Sequence, residues 1–289
     1  MAAGQLAPAA FKYSRARLAG VPIFLYHGLT NSEEAVTPSR ERDYWISGAR
    51  FKEHLGQIRR SGCRACLLEE LWHEDRRTPS TSASQGNTWQ APRVAITFDD
   101  GLTSAYEIAY PLLLEAGIRA DFFVNTASIG KPGFLSWAQM LEMQRAGMSF
   151  QSHSHEHVYL TWLPASDLEG QLRDSKRILE NRLGKPVDFL SVPYGELDGR
   201  VIHAARYLGY KAVCSSWSWP ARPGAAVAGR VIVNCRTTPG DFQRLLIGNP
   251  IAYVARATRG CLKYFPKRLL LRFRPGLPPS GYVPPVAQA

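Results

Sequence analysis

Short apolar runs alternate along the chain with stretches in which apolar residues recur every three or four positions. This is the pattern of a largely parallel sheet or barrel wrapped by helices. Strands are expected over 21–26, 63–67, 93–98, 120–125, 148–152, 187–192, 211–216 and 230–234, and helices near 50–61, 102–116, 136–147, 166–183 and 198–209. The clearest helix is SDLEGQLRDSKRILENRLG. Leu168, Leu172, Leu179 and Leu183 form one stripe, Ser166 is placed to cap with Glu169 three residues on, and Gly184 ends it. Residues 74–93, rich in Ser, Thr, Arg and Pro, interrupt the alternation and read as a surface loop, and the closing PGLPPSGYVPPVAQA reads as disordered. The division expected is an extension over 1–20, one α/β domain over 21–245 and a tail over 246–289.

Composition supports a folded chain: of 289 residues, 45% are hydrophobic and 20% charged, which excludes wholesale disorder. Charge is unevenly placed. No acidic residue follows Asp241, whereas Arg244, Arg256, Arg259, Lys263, Lys267, Arg268, Arg272 and Arg274 do, so most of the +11 excess lies near the end. A basic segment with interleaved Leu, Phe and Tyr suits an anionic membrane surface, where each charge contributes on the order of 1 kcal/mol. A terminal helix with a solvated basic face is the plainer alternative. No nucleic-acid motif is present, so that partner ranks low.

Five cysteines, an odd number, do not make a disulfide framework. Cys63 and Cys66 form a lone CxxC that reads as strand packing rather than a zinc site. The first twenty residues lack an apolar signal core and no run of eighteen apolar residues occurs, so the cytoplasm is the expected compartment.

Three stretches carry candidate chemistry. RVAITFDDGLTSAY puts Asp99 and Asp100 at the end of an apolar strand, where two neighbouring anions call for a cation or a proton; capping of the next helix by Asp100 or Thr103 is the competing role. SFQSHSHEHVYL holds His153, His155 and His157. On a helical turn His153 and His157 would share a face; on an extended chain His155 would pair with one of them, and spacing alone does not choose. Three histidines in five residues after a strand point to a metal. VPIFLYHGLT puts His27 where a buried strand leaves the core.

TFDDG at 97–101, HSHEH at 153–157 and PYG at 193–195 together resemble the polysaccharide deacetylases of the NodB-homology type, carbohydrate esterase family 4, over about residues 20–235. The resemblance implies a distorted (β/α) barrel and one divalent metal, zinc first, with cobalt, nickel, manganese or iron(II) as alternatives. It implies removal of acetyl groups from an acetylated amino sugar, or from sugar esters. Carried over residue by residue, Asp100, His153 and His157 become the metal ligands and Asp99 the catalytic base. The backbone N–H of Tyr194 becomes an oxyanion donor, with Pro193 beside it at the substrate. His155 then falls in a variable position.

Two departures follow. Many members carry an arginine two residues before the Pro-Tyr-Gly turn that pairs with the base; here that residue is Ser191. The closing I-x-L-x-H strand, whose histidine acts as general acid, is missing after residue 203, but Ile23-Phe24-Leu25-Tyr26-His27 matches it at the front. In a ring of strands such a move leaves the histidine facing the same cavity, which makes His27 the candidate acid. Trp217 and Trp219, in CSSWSWP, are candidate sugar-stacking residues, with Tyr44 and Trp45 weaker ones. The expected activity is metal-dependent N-deacetylation; sugar O-acetyl esterase activity and a non-catalytic carbohydrate-binding relative are the alternatives.

Overall fold

The computed structural model describes residues 18–32, 43–74 and 92–258. Residues 75–91 of the expected loop, the proline-rich end and most of the basic tail lie outside the described residues. Eleven strands are described: β1 (Ile23–Tyr26), β2 (Leu29–Thr30), β3 (Ile46–Ser47), β4 (Arg64–Ala65), β5 (Arg93–Phe98), β6 (Asp121–Val124), β7 (Ser149–Ser152), β8 (Phe189–Ser191), β9 (Ala212–Cys214), β10 (Val227–Ala228) and β11 (Val231–Ile232). Around them run α1 (Gly48–Arg60), α2 (Leu68–Glu74), α3 (Tyr110–Ala116), α4 (Trp137–Arg145), α5 (Ala165–Leu183), α6 (Gly199–Tyr207) and α7 (Pro239–Leu246).

The main sheet has the order β10-β9-β8-β7-β6-β5-β1-β11, with β4 paired to the start of β5, and every ladder is parallel. Its two edge strands are consecutive in sequence. Only Gly229 and Arg230 separate β10 from β11, and three Cα–Cα steps of 3.8 Å hold their ends within about 11 Å. The sheet therefore curls into a barrel with one seam. Along that seam Ala221 and Val21 exchange two backbone hydrogen bonds of 2.8 and 2.9 Å. At Gly229 a Cβ would stand 2.6 and 2.8 Å from the carbonyl oxygens of Trp219 and Trp217, so only glycine fits.

The run expected over 230–234 holds β11, while β10 just before it, on the opposite edge of the sheet, is an unforeseen two-residue strand; Gly229 and the inward-turned Arg230 separate the two. Helix α2 follows the short β4 where sequence suggested only a strand, and α7 carries an unforeseen capping box of Thr238 and Asp241. Cys66 is buried in an apolar cluster beyond β4 and Cys63 is half-buried against the core, and neither is in a disulfide. The helix expected at 102–116 begins as a π-turn over Ala105–Ala109. Pro111 has no N–H and crowds the preceding turn, which explains the widening.

In α5 the four leucines are buried as expected, each contributing roughly 1.5–3 kcal/mol. Its start differs from the expectation. The helix begins at Ala165 with Pro164 at the cap; Ser166 lies inside the first turn and donates to Asp167, while Glu169 pairs with Arg173. Packing continues past residue 245: Leu246 and Tyr253 are buried, the latter in a helical segment over 250–258. No described helix is long and apolar enough to cross a membrane.

Candidate metal centre and catalytic site

In a parallel barrel all strands end on one rim, and β1, β5, β7 and β8 bring His27, Asp99, His153 and the 193–195 turn there. Strand β1 lies directly beside β5, and the Asp99 N–H donates to the Tyr26 carbonyl at 2.9 Å. The front strand thus stands next to the aspartate pair.

Asp100 Oδ1 lies 3.3 Å from Nε2 of both His153 and His157, and the three ligand atoms fall within 4.8 Å of one another. Asp100 therefore faces the histidines and does not cap the next helix; neither it nor Thr103 serves there, since that helix has Ser104 at its cap with no side-chain bond. The histidines converge by neither of the two regular geometries. Residues 153–157 form a tight loop in which Ser154 and His157 take φ of +64° and +55° and the His157 N–H donates to Ser154 Oγ at 3.2 Å. His155 turns away to Thr126 Oγ1 at 2.7 Å.

The donor set fits a divalent cation. His153 Nδ1 lies 2.9 Å from the Ser191 carbonyl oxygen, which can only accept, so Nδ1 carries the proton and Nε2 presents a lone pair. A lone pair facing a carboxylate oxygen at 3.3 Å needs a cation or proton between them. Two imidazoles and a carboxylate are the ligand set of an open zinc site. Burial works against the charge on Asp100, yet where a proton rather than a cation fills that gap, the bonds it makes from His153 and His157 hold the Asp100 carboxyl well below the usual range.

Asp99 is buried and engaged at both oxygens. Arg230 donates to Oδ1 at 2.7 Å and to Oδ2 at 2.8 Å, and Ser191 Oγ donates to Oδ2 at 2.8 Å. Arg230 is itself fully buried. Its remaining N–H groups reach Ser215 O, Thr97 Oγ1 and Ser191 Oγ at 3.3, 3.3 and 2.7 Å, so every donor of the fork has a partner. Its guanidinium also lies 5.1 Å over the Phe123 ring. Burial alone would raise the Asp99 carboxyl; Arg230, then His153 and His27, more than reverse this and leave it lowered. The arginine missing from position 191 is thus supplied by the seam, and the serine in its place joins the two groups.

His27 Nδ1 is buried with no hydrogen-bond partner in the structure, and its ring lies 5.0 Å from Tyr44. Burial lowers its pKa, with Asp100 and Asp99 opposing and Arg230 and His153 reinforcing. Gly28 packs flat on Trp45, where a Cβ would stand 2.2 Å from the ring. Pro193 is buried and Tyr194 is 44% exposed with φ of +61°. Among the described residues the non-glycine positive-φ positions are Asp100, Ser154, His157 and Tyr194, all at this site. Each costs on the order of 1–3 kcal/mol, so the fold spends backbone strain here. Trp217 and Trp219 are half-exposed; Ser216 packs on Gly195 of the 193–195 turn, whereas the Trp219 ring lies edge-on to Tyr253 at 6.3 Å.

The site thus gathers Asp99, Asp100, His153, His157 and His27. Sequence reasoning missed Arg230, whose signal was a lone charge heading an apolar strand, and the rings of Tyr159 and Trp162. A cleft of about 470 Å³ between α5 and α6, lined by Leu168, Arg200, His203 and Tyr207 among others, holds none of the predicted site residues.

Residues 86–213 match the family model described as polysaccharide deacetylase. A Bacillus subtilis protein described as a polysaccharide deacetylase, YxkH, is 28% identical over 208 residues, 72% of this chain and 67% of the other. The poly-β-1,6-N-acetyl-D-glucosamine N-deacetylase of Staphylococcus aureus is 23% identical over 70% of this chain and 69% of its own. Among solved structures, the Streptococcus pyogenes deacetylase PplD in complex with acetate superposes with a TM-score of 0.68 at 23% identity, covering 81% of this chain and all of the other. IcaB from Ammonifex degensii gives 0.65 at 24% identity, covering 80% and 98%. These structures share the fold, a curled parallel half-barrel of the NodB type.

Proposed function

We propose that this chain, a polysaccharide-deacetylase relative of the NodB-homology type, is a metal-dependent hydrolase that removes N-acetyl groups from an amino sugar in a polysaccharide or oligosaccharide. One observation carries the reading: Asp100, His153 and His157 converge while the adjacent Asp99 is buried, ionised and clamped by Arg230.

Asp100, His153 and His157 would hold the cation, zinc by preference. When bound, it supplies Lewis acidity toward a water and the acetyl carbonyl. Asp99 takes the proton of the attacking water. It does so at Oδ1, since Oδ2 already accepts from both Ser191 and Arg230 whereas Oδ1 accepts from Arg230 alone. Pairing with Arg230 keeps the base ionised at neutral pH, at some cost in basicity. The Tyr194 N–H is the oxyanion donor, and Pro193 before it fixes the entry to that turn. His27, in its imidazolium form, gives a proton to the departing nitrogen and is left as neutral imidazole; Asp100 and Asp99 favour the charged form against the burial that lowers its pKa. Trp217, on the segment that packs against the 193–195 turn, is placed to meet a sugar ring; Trp219, turned to Tyr253, is less so.

A serine at position 191 would favour a non-catalytic binder if nothing paired with Asp99; Arg230 does pair with it, which speaks for catalysis. The test is acetate release from β-1,4- and β-1,6-linked N-acetylglucosamine oligomers by the wild type, with and without chelator, beside Asp99→Asn. Chelator-sensitive release that the variant lacks supports the reading. Chelator-independent release, or none from any acetylated sugar, overturns it.

A further inference from the structure

A column of aromatic rings rises beside the metal ligands. The Trp162 ring stacks on Tyr159 with centroids 3.9 Å apart at 14°, Tyr159 stacks on Tyr194 at 3.9 Å and 11°, and Tyr194 meets the His157 ring edge-on at 4.8 Å. Both faces of Tyr159 are thereby covered. The rings come from two loops: 157–162 follows β7 and carries the second histidine ligand, while 193–195 follows β8 and carries the oxyanion residue. At the foot of the column Arg200 of α6 donates to the Thr161 and Leu163 carbonyls at 2.7 and 3.2 Å, which fixes the turn bearing Trp162.

We infer that Tyr159 and Trp162 are positioning residues: as a stacked pillar anchored by Arg200 they hold Tyr194, and with it the oxyanion-binding backbone, in register with the ligand His157. Tyr194 needs such support. Its backbone sits in the left-handed region that a bulky residue leaves readily, and its ring is 44% exposed, so the core does not fix it. A parallel stack resists tilting and sliding of the ring, and the ring is rigidly coupled to the peptide preceding it through χ1. The pillar presents no free face to a sugar at Tyr159, which separates this role from sugar stacking. The inference rests on the deacetylase reading for the meaning of Tyr194.

The test compares Tyr159→Ala, Tyr159→Phe, Trp162→Ala and Trp162→Phe for kcat and KM on an N-acetylglucosamine oligomer. It adds zinc affinity of the apoprotein by calorimetry and thermal midpoint. Alanine at either position is expected to lower kcat on the order of 10²-fold, as loss of an aligned oxyanion donor does, with KM changed less than about threefold. Phenylalanine is expected to restore most of kcat, and zinc affinity to stay within about threefold. Unchanged kcat in Tyr159→Ala overturns the inference. So does equal loss in Tyr159→Phe, which would place the role in the hydroxyl, or a loss of kcat matched by collapse of zinc affinity and thermal midpoint, which would make the stack structural. A wild type without turnover refutes the deacetylase reading instead; zinc affinity and thermal midpoint remain measurable in that case.

Discussion

Asp99 and Arg230, 131 residues apart in sequence, meet in a two-point ion pair of 2.7 and 2.8 Å from which solvent is excluded. A planar fork matched to a carboxylate is something lysine does not reproduce. The pair links the rim that bears the candidate site to the barrel seam.

Removing one partner should therefore be costly. Arg230→Met leaves a buried carboxylate unpaired and is expected to destabilise the fold by about 3–5 kcal/mol, read by denaturant unfolding. The sign for the base follows. Arg230 now lowers the Asp99 pKa against burial; without it burial prevails, the pKa rises, and the acidic limb of the kcat/KM profile moves to higher pH. An unshifted limb would remove Arg230 from the tuning of the base.

Metal dependence gives the next expectation. Chelation should abolish acetate release and zinc should restore it. Asp100→Asn should weaken zinc binding, whereas Asp99→Asn should bind zinc but lose roughly 10²–10⁴-fold in kcat. Zinc affinity should fall as pH drops, because protons compete for the lone pairs that would hold the metal. Calorimetric titration at several pH values checks this.

His27 distinguishes amides from esters. An amine leaves poorly unless protonated and an alkoxide needs less help, so His27→Ala should lose about 10²–10⁴-fold on an N-acetyl substrate and far less on an aryl acetate. Equal losses on both would make His27 a structural or substrate-binding residue.

Asp121 should write itself into the pH dependence of stability. Burial raises its carboxyl to about 7, against the lowering by Leu68 N–H and Ser149, with Glu69 and Glu70 adding to the rise. Unfolded, it titrates near 4. Between about 4 and 7 the folded chain holds the extra proton, so its contribution to stability is greatest at the acidic end and falls as pH rises, by at most about 4 kcal/mol. Asp121→Asn keeps an acceptor for the Leu68 N–H and should flatten the slope of thermal midpoint between pH 5 and 8.

What sequence alone determined was local or periodic. The alternating runs located the barrel strands, with 93–98 matching β5 end to end, and the leucine stripe located α5. The Asp-Asp and triple-histidine stretches marked the metal candidates, because such residues are costly to bury without a partner. Periodicity could not mark α2, α7 or the two-residue β10, which are too short to show a period. Which histidines pair was decided by a loop with two left-handed residues, a geometry that spacing does not encode.

The partner of Asp99, the candidate base, was decided only by tertiary structure. Position 191 is a serine, and the arginine that serves Asp99 lies just before β11, two strands from β5 across β1 and 131 residues away in sequence. Curling of the sheet then brings Ser191 of β8 and Ser215 beyond β9 onto the same guanidinium. The pillar of Tyr159, Trp162 and Tyr194 is likewise tertiary in origin. Ring stacking between two loops depends on where parallel strands end in space, and that is fixed by the pairing of β7 with β8 rather than by either loop's sequence.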